Sequence, residues 1–200
     1  MADAAPNKVR WGLSNVHYAV WDDATKTYGT PKPLAGAVSI NFDPQGSQNQ
    51  FYADNVVYYT SNPSASDTGT LEIADISEEA MKDIFGYRKD ATSGTLYEIT
   101  NAVLPTFALL YQVEGDQTKM RGVRYNVTAS RLSETRSTQT ENVEPQTYSV
   151  NYTAVGRDFT VDGETVNVIK SSCDNAGDTH AAYDAWFTEV VCPGTAPASA

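Results

Sequence analysis

Three stretches of this chain alternate apolar and polar residues with a period of two, and nothing else in the sequence constrains its fold as much. Leu34, Gly36, Val38, Ile40 and Phe42 alternate with Ala35, Ala37, Ser39, Asn41 and Asp43. Val123, Tyr125, Val127 and Ala129 alternate with Gly122, Arg124, Asn126, Thr128 and Ser130, and Tyr148, Val150, Tyr152 and Ala154 with Thr147, Ser149, Asn151 and Thr153. Successive side chains of a strand point to opposite faces, so each stretch predicts a strand with one face on a core and the other outward. The outward residues are mostly small, hydroxyl or amide, with few long charges.

Further strands are predicted at residues 16–21, 50–59, 70–75, 95–100 and 107–114. The run Val56, Val57, Tyr58 and Tyr59 is apolar on both parities, as in a strand covered on both faces. The second cover is either the chain's own helix or another subunit. Twelve Tyr, six Phe and three Trp favour pleated, half-buried surfaces, and nine Pro and thirteen Gly supply breaks. At 200 residues and 40% hydrophobic content the expectation is one all-β-dominated, sandwich-like domain at residues 8–192, with flexible arms at 1–7 and 193–200.

Two helices are predicted. At residues 76–85, Asp75 caps the first turn with Glu78 three residues on, Ala80, Met81, Ile84 and Phe85 form one apolar stripe, and Gly86 supplies a left-handed stop. A second candidate at 179–191 follows Asp178 and carries Ala182, Trp186, Phe187 and Val190 at helical spacing. Both stripes are read as packing on a sheet. Residues 43–49, 60–69 and 133–146 are polar and read as long loops; within 60–69, Asn62-Pro63 and Asp67-Thr68-Gly69 are turn signals.

The formal charge of −11 predicts repulsion from nucleic acid on average. Residues 119–136 are the exception, with Lys119, Arg121, Arg124, Arg131 and Arg136 against one acid. A neighbouring subunit's acidic surface or a solvated face accounts for that stretch better than DNA does. The N-terminus has no apolar signal region and no run reaches about 18 apolar residues, so the sequence reads as soluble and made in the cytoplasm.

Catalytic signatures are missing from the sequence. It contains no G-x-S-x-G, Walker loop, G-x-G-x-x-G or H-E-x-x-H, and its two histidines, His17 and His180, read as packing or surface residues. Cys173, His180 and Cys192 match no compact zinc spacing, and the 174–178 run Asp-Asn-Ala-Gly-Asp lacks the spacing of a calcium loop. No enzyme, cofactor or metal is expected. The two cysteines bridge only if their Cα atoms come within about 7 Å. Two other classes stay open: a carbohydrate-binding or adhesin-like β-sandwich, although Trp11, Trp21 and Trp186 are too scattered for a sugar platform, and a glycoside hydrolase, for which 25 acids supply candidate pairs.

The order of parts across residues 7–192 resembles the major tail proteins of long-tailed, non-contractile bacteriophages. The resemblance rests on Lys8-Val9-Arg10-Trp11-Gly12, on Phe51-Tyr52-Ala53-Asp54-Asn55 before the capped helix, and on Pro105-Thr106-Phe107-Ala108-Leu109. It continues through the basic strand, the Thr/Ser/Glu loop at 133–144 and Pro145-Gln146-Thr147-Tyr148. It implies a tail-tube fold, hexameric rings stacked into a tube in the virion tail, assembly in the host bacterial cytoplasm, and tape-measure, terminator or distal tail proteins as partners. DNA would be only a transient passenger, with no membrane involved. On that reading Val56, Tyr58, Ser61, Asn62, Pro63, Asp67, Gly69, Arg136 and Glu141 contact other subunits, and Ser39, Asn41, Asp43, Thr70 and Glu72 face the lumen.

Overall fold

The computed structural model describes residues 9–46, 49–53, 55–61, 64–115, 118–134, 138, 146–175 and 181–197. In chain order the elements are β1 (Leu13–Asp22), β2 (Thr27–Tyr28), β3 (Lys32–Pro33), β4 (Ala37–Ile40), β5 (Asp43–Gly46), β6 (Asn49–Ala53), β7 (Val56–Ser61), β8 (Ser64–Ile73) and α1 (Glu78–Phe85). There follow β9 (Arg88–Lys89), β10 (Leu96–Tyr97), β11 (Phe107–Val113), β12 (Arg121–Ala129), β13 (Ser133–Glu134), β14 (Tyr148–Val155), β15 (Arg157–Val161), β16 (Glu164–Val168), β17 (Lys170–Cys173) and α2 (Ala181–Ala185). The expected all-β-dominated class is the one observed. The largest sheet is antiparallel with order β2-β1-β11-β12-β14-β8-β4; β3 adds to β1, β17 to β12, β13 to β14 and β5 to β8.

The middle of this sheet is covered on both faces. Six consecutive residues of β11 are buried. Phe107, Leu109 and Tyr111 join Val16, Tyr18, Leu71, Ile73, Val150 and Tyr152 beneath Ala80, Ile84 and Phe85 of α1. Ala108 and Leu110 turn the other way, to Ala19, Val123, Tyr125 and Trp186. One apolar layer therefore packs on the helix and the other on the C-terminal segment, which is how a continuous apolar strand is satisfied.

Two of the predicted alternations are interrupted by bulges. In β12, Asn126 adopts φ 49, and β12 gains one residue against β11 between the pairs Leu109–Arg124 and Phe107–Val127. The extra residue flips the parity. Val123 and Tyr125 thus enter the second core while Val127 and Ala129 enter the first, rather than all four sharing one face. In β4 the register slips between Ala37 and Ser39, so Val38 occupies the bulge and is 55% exposed, whereas Ala37, Ile40 and Phe42 pack on the core. The β14 alternation holds, with Val150, Tyr152 and Ala154 buried.

The first helix starts at Glu78 and its cap is Ser77, whose Oγ accepts from the Ala80 N–H at 3.2 Å; Asp75 accepts instead from Ile76 N. Ser77 displaces the predicted Asp75 cap because its extended backbone, φ −61 and ψ 149, sits directly before the first turn. Gly86 provides the stop, at φ 69. Tyr18 donates to Asp83 at 3.0 Å, and Lys32 lies 2.6 Å from Asp83 and 2.8 Å from Glu79, joining the helix to β1 and β3. The second helix is shorter than predicted: it ends at Ala185 and turns, because burying Trp186 against the Gly122 carbonyl directs the chain onto the sheet. Thr179 and His180 lie outside the described residues.

Other corrections concern polar sequence that forms strands. Residues 43–46 and 64–69, expected as loops, are β5 and the first half of β8. Residues 50–59 are two strands turning at Asn55, φ 63, rather than one. Of the 95–100 strand only β10 forms, and β15, β16 and β17 were not foreseen.

Candidate assembly surface

Strands β5 to β8 build one long hairpin. Its proximal rungs pair Asp43 with Thr68, Pro44 with Asp67, Gln45 with Ser66 and Gly46 with Ser64. Its distal rungs pair Asn49 with Ser61, Gln50 with Thr60, Phe51 with Tyr59, Tyr52 with Val57 and Ala53 with Val56. The proximal part belongs to the main sheet through β14, but among the described residues β6 and β7 pair only with each other. Phe51, Tyr52, Val56, Val57, Tyr58 and Tyr59 are all exposed there, by 47–77%. The register slips between Phe51 and Tyr52, so Tyr58 occupies a bulge in β7; Val56 and Tyr59 share one face with Phe51, and Val57 shares the other with Tyr52. A bare two-stranded hairpin is marginal in water, and a contiguous apolar surface of this kind marks a contact site.

At the root of the hairpin the surroundings become a core. Asp67 is 3% and Arg124 7% exposed, with Arg124 Nε 2.9 Å from Asp67 Oδ2. The Arg124 guanidinium also lies over the Phe42 ring, 4.0 Å from its centroid, and Phe42 packs against Tyr111 and Tyr152 at 5.1 and 5.8 Å. Tyr152 Oη donates to the Asn41 carbonyl in the space left open by Gly69, where any Cβ would collide with both groups. Asp67 and Gly69 are therefore interior residues of their own chain. One signal of this is present in the sequence: in the outward set Gly122, Arg124, Asn126, Thr128 and Ser130, Arg124 is the one long side chain.

The basic stretch disperses in the same way. Lys119 lies 3.7 Å from Glu114, Arg131 pairs with Glu98 at 3.0 Å, and Arg121 sits 3.7 Å over Tyr183 and 4.8 Å over Phe187. With Arg124 on Asp67, each of its four described members has a partner inside the chain. Asn62, Pro63, Arg136 and Glu141 lie outside the described residues.

The five residues predicted to share a polar face do come together. Ser39 donates to Glu72 at 3.2 Å, Asn41 accepts from the Thr70 N–H at 2.6 Å, and Asn41 Nδ2 donates to Asp43 at 2.9 Å. The polar face continues across β14, where Thr70 donates to Asn151 at 2.8 Å, and Asn41, Asp43 and Thr70 line a shallow groove with Thr68, Thr128, Ser130 and Thr153. The hydrogen-bond donors to Glu72 and Asp43 are neutral hydroxyls and an amide, so the face keeps its negative charge.

His17 stacks on Phe187 with ring centroids 4.7 Å apart. Cys173 and Cys192 are unbridged and occupy different surroundings: Cys173 pairs across from Arg121 on β12, and burial pushes the Cys192 thiol up to about 11. Trp21 lies under the Arg157 guanidinium at 3.6 Å and Trp186 is buried, while Trp11 is exposed. Among the described residues no His, Cys, Asp and Glu are grouped to hold a metal ion, and no helix is long and apolar enough to cross a membrane.

No protein-family model and no curated protein matches the sequence. Among solved structures the chain is similar to one from the sheath–tube complex of an extracellular contractile injection system (PVC) in its extended state. The identity is 11% and the TM-score 0.45, over 80% of this chain and 89% of that one. It is also similar to one from the anti-feeding prophage cap, described as the tube-terminating cap, at 12% identity and TM-score 0.44 over 87% and 99% of the two chains. Both likenesses are distant.

Proposed function

We propose that this chain is a structural tail subunit without enzymatic activity, polymerising as stacked hexameric rings into the tail tube of a non-contractile phage, the conduit for DNA ejection. The observation that carries this reading is the distal hairpin, apolar on both faces and, among the described residues, paired only with itself. Fully covering a large apolar side chain contributes about 1.5–3 kcal/mol, so one hairpin face with about three of them yields about 5–9 kcal/mol. Association costs about 4–15 kcal/mol, so neighbours must cover both faces for the contact to persist. A head-to-tail contact yields a ring where its rotation closes and a filament where it does not, so stacking rings head to tail extends them into a tube.

In this scheme residues 8–192 act as one domain between two terminal arms. Val56, Tyr58, Ser61, Asn62 and Pro63 contact the neighbour, with Arg136 and Glu141 in support, while Asp67 and Gly69 serve from inside the chain by holding the hairpin root. Ser39, Asn41, Asp43, Thr70 and Glu72 line the lumen, where negative potential reaching roughly 8 Å at physiological salt keeps DNA from sticking. Tape-measure and terminator or distal tail proteins cap the tube, which forms in the bacterial cytoplasm and ends in the virion. The test is sedimentation of the Val56→Ser/Tyr58→Ser variant. Loss of large assemblies at an unchanged melting temperature supports the proposal; assembly equal to that of the parent chain overturns the hairpin contact.

A further inference from the structure

We infer that Arg124 is a positioning residue that grips both arms of the hairpin at their root and fixes the angle at which the distal strands leave the sheet. Its partners lie on different arms. Asp67 belongs to β8, opposite Pro44 of β5 and Ala154 of β14, while Phe42 directly precedes β5. The Arg124 side chain reaches both from β12, with Asp67 at 2.9 Å and the Phe42 ring at 4.0 Å. Tyr111 and Tyr152 close around Phe42, and Gly122 keeps Tyr111 in place because a Cβ there would collide with its ring. One cation in the core is thus ion-paired with one arm and stacked on the other.

Stability alone does not account for such a pair. Two buried charges lose their hydration, and Nε and Oδ2 approach without an aligned hydrogen bond, so apolar side chains of similar size hold the site together equally well or better. A planar cation facing two directions supplies fixed geometry, which lysine cannot match. Beyond Asp67 toward the tip, β5 and β8 continue for a few rungs and the hairpin then pairs only with itself, so a small change of angle at the root displaces the apolar tip most. The consequence for assembly rests on the tail-tube reading; the geometry does not.

The experiment measures the spin-label distance between cysteines placed at Tyr58 and Lys82, in a chain carrying Cys173→Ser and Cys192→Ser, at a concentration where it is monomeric. The Asp67→Leu/Arg124→Met variant is expected to melt at the same temperature or higher while its distance distribution broadens or shifts. Its threshold concentration for assembly rises by about an order of magnitude, the equivalent of one strong pairwise coupling. Arg124→Lys, which keeps the charge and loses the stack, gives a smaller broadening and decides the matter if the double variant fails to fold. An unchanged distribution in the folded variants overturns the inference. If the parent chain never assembles, the tail-tube reading fails by itself and the distances still decide the clamp.

Discussion

Arg157 Nη2 donates to Asn126 Oδ1 at 2.9 Å, and this bond holds the bulge that divides β12 between two cores. Arg157 is itself held over Trp21 at 3.6 Å and donates to Thr106 at 3.2 Å, while Asn126 donates to the Gly156 carbonyl. Asparagine tolerates φ 49 better than most residues, and its amide supplies the partner that fixes the bulge. Asn126→Ala forces a Cβ residue into this conformation and removes the acceptor, for an expected cost of about 1–3 kcal/mol. Asn126→Gly relieves the backbone and recovers part of that loss. Urea unfolding of both variants gives the comparison, and equal stabilities would show that the left-handed backbone is not a source of strain.

Removing one member of the Asp67–Arg124 pair leaves the other charge buried. Asp67→Leu alone is expected to destabilise the chain by about 3–5 kcal/mol, and adding Arg124→Met restores the parent stability or exceeds it. Chemical denaturation of the single and double variants measures the coupling directly. A single variant as stable as the parent would mean that Arg124 finds water or another partner.

Glu78 accepts from Lys82 at 2.5 Å and from Lys89 at 2.8 Å, and these bonds hold its carboxyl at about 2, below its ordinary 4.5. A depressed folded value means that the contribution is fully present above the unfolded value and is lost as pH falls through the folded one. The melting temperature of the parent should therefore exceed that of Glu78→Gln at neutral pH, with the gap closing between about pH 4.5 and about pH 2. The Glu78 side chain faces solvent, so the gap is small and shrinks in high salt. A gap independent of pH would assign it to packing or helix propensity.

Asp43 and Glu72 carry the negative charge of the polar face and have neutral donors around them. Converting both to lysine is expected to leave tubes intact while slowing DNA ejection, with the delay relieved by salt. Ejection at the parent rate would remove this face from the lumen.

Where side-chain chemistry is repetitive the fold is legible from sequence. The β14 alternation, the α1 stripe and the Gly86 stop all reappear as drawn. Legibility fails where pairing rather than composition makes the strand. Ser64 to Gly69 read as a loop because they are small and polar, yet they are held between β5 and β14. Bulges at Val38 and Asn126 left no trace in the period, since one added residue changes the face and not the pattern of residue types. Parity on β8 sets Thr70 and Glu72 opposite Leu71 and Ile73, and hydrogen bonds bring Ser39, Asn41 and Asp43 to them. Asp67 was misread as surface because its partner is 57 positions away in sequence.

The central claim is self-assembly through the distal hairpin, and negative-stain electron microscopy of the purified chain over a concentration series tests it most directly. The account predicts rings or hollow tubes of uniform width that disappear in the Val56→Ser/Tyr58→Ser variant. Featureless small particles from the parent chain at every concentration would contradict it.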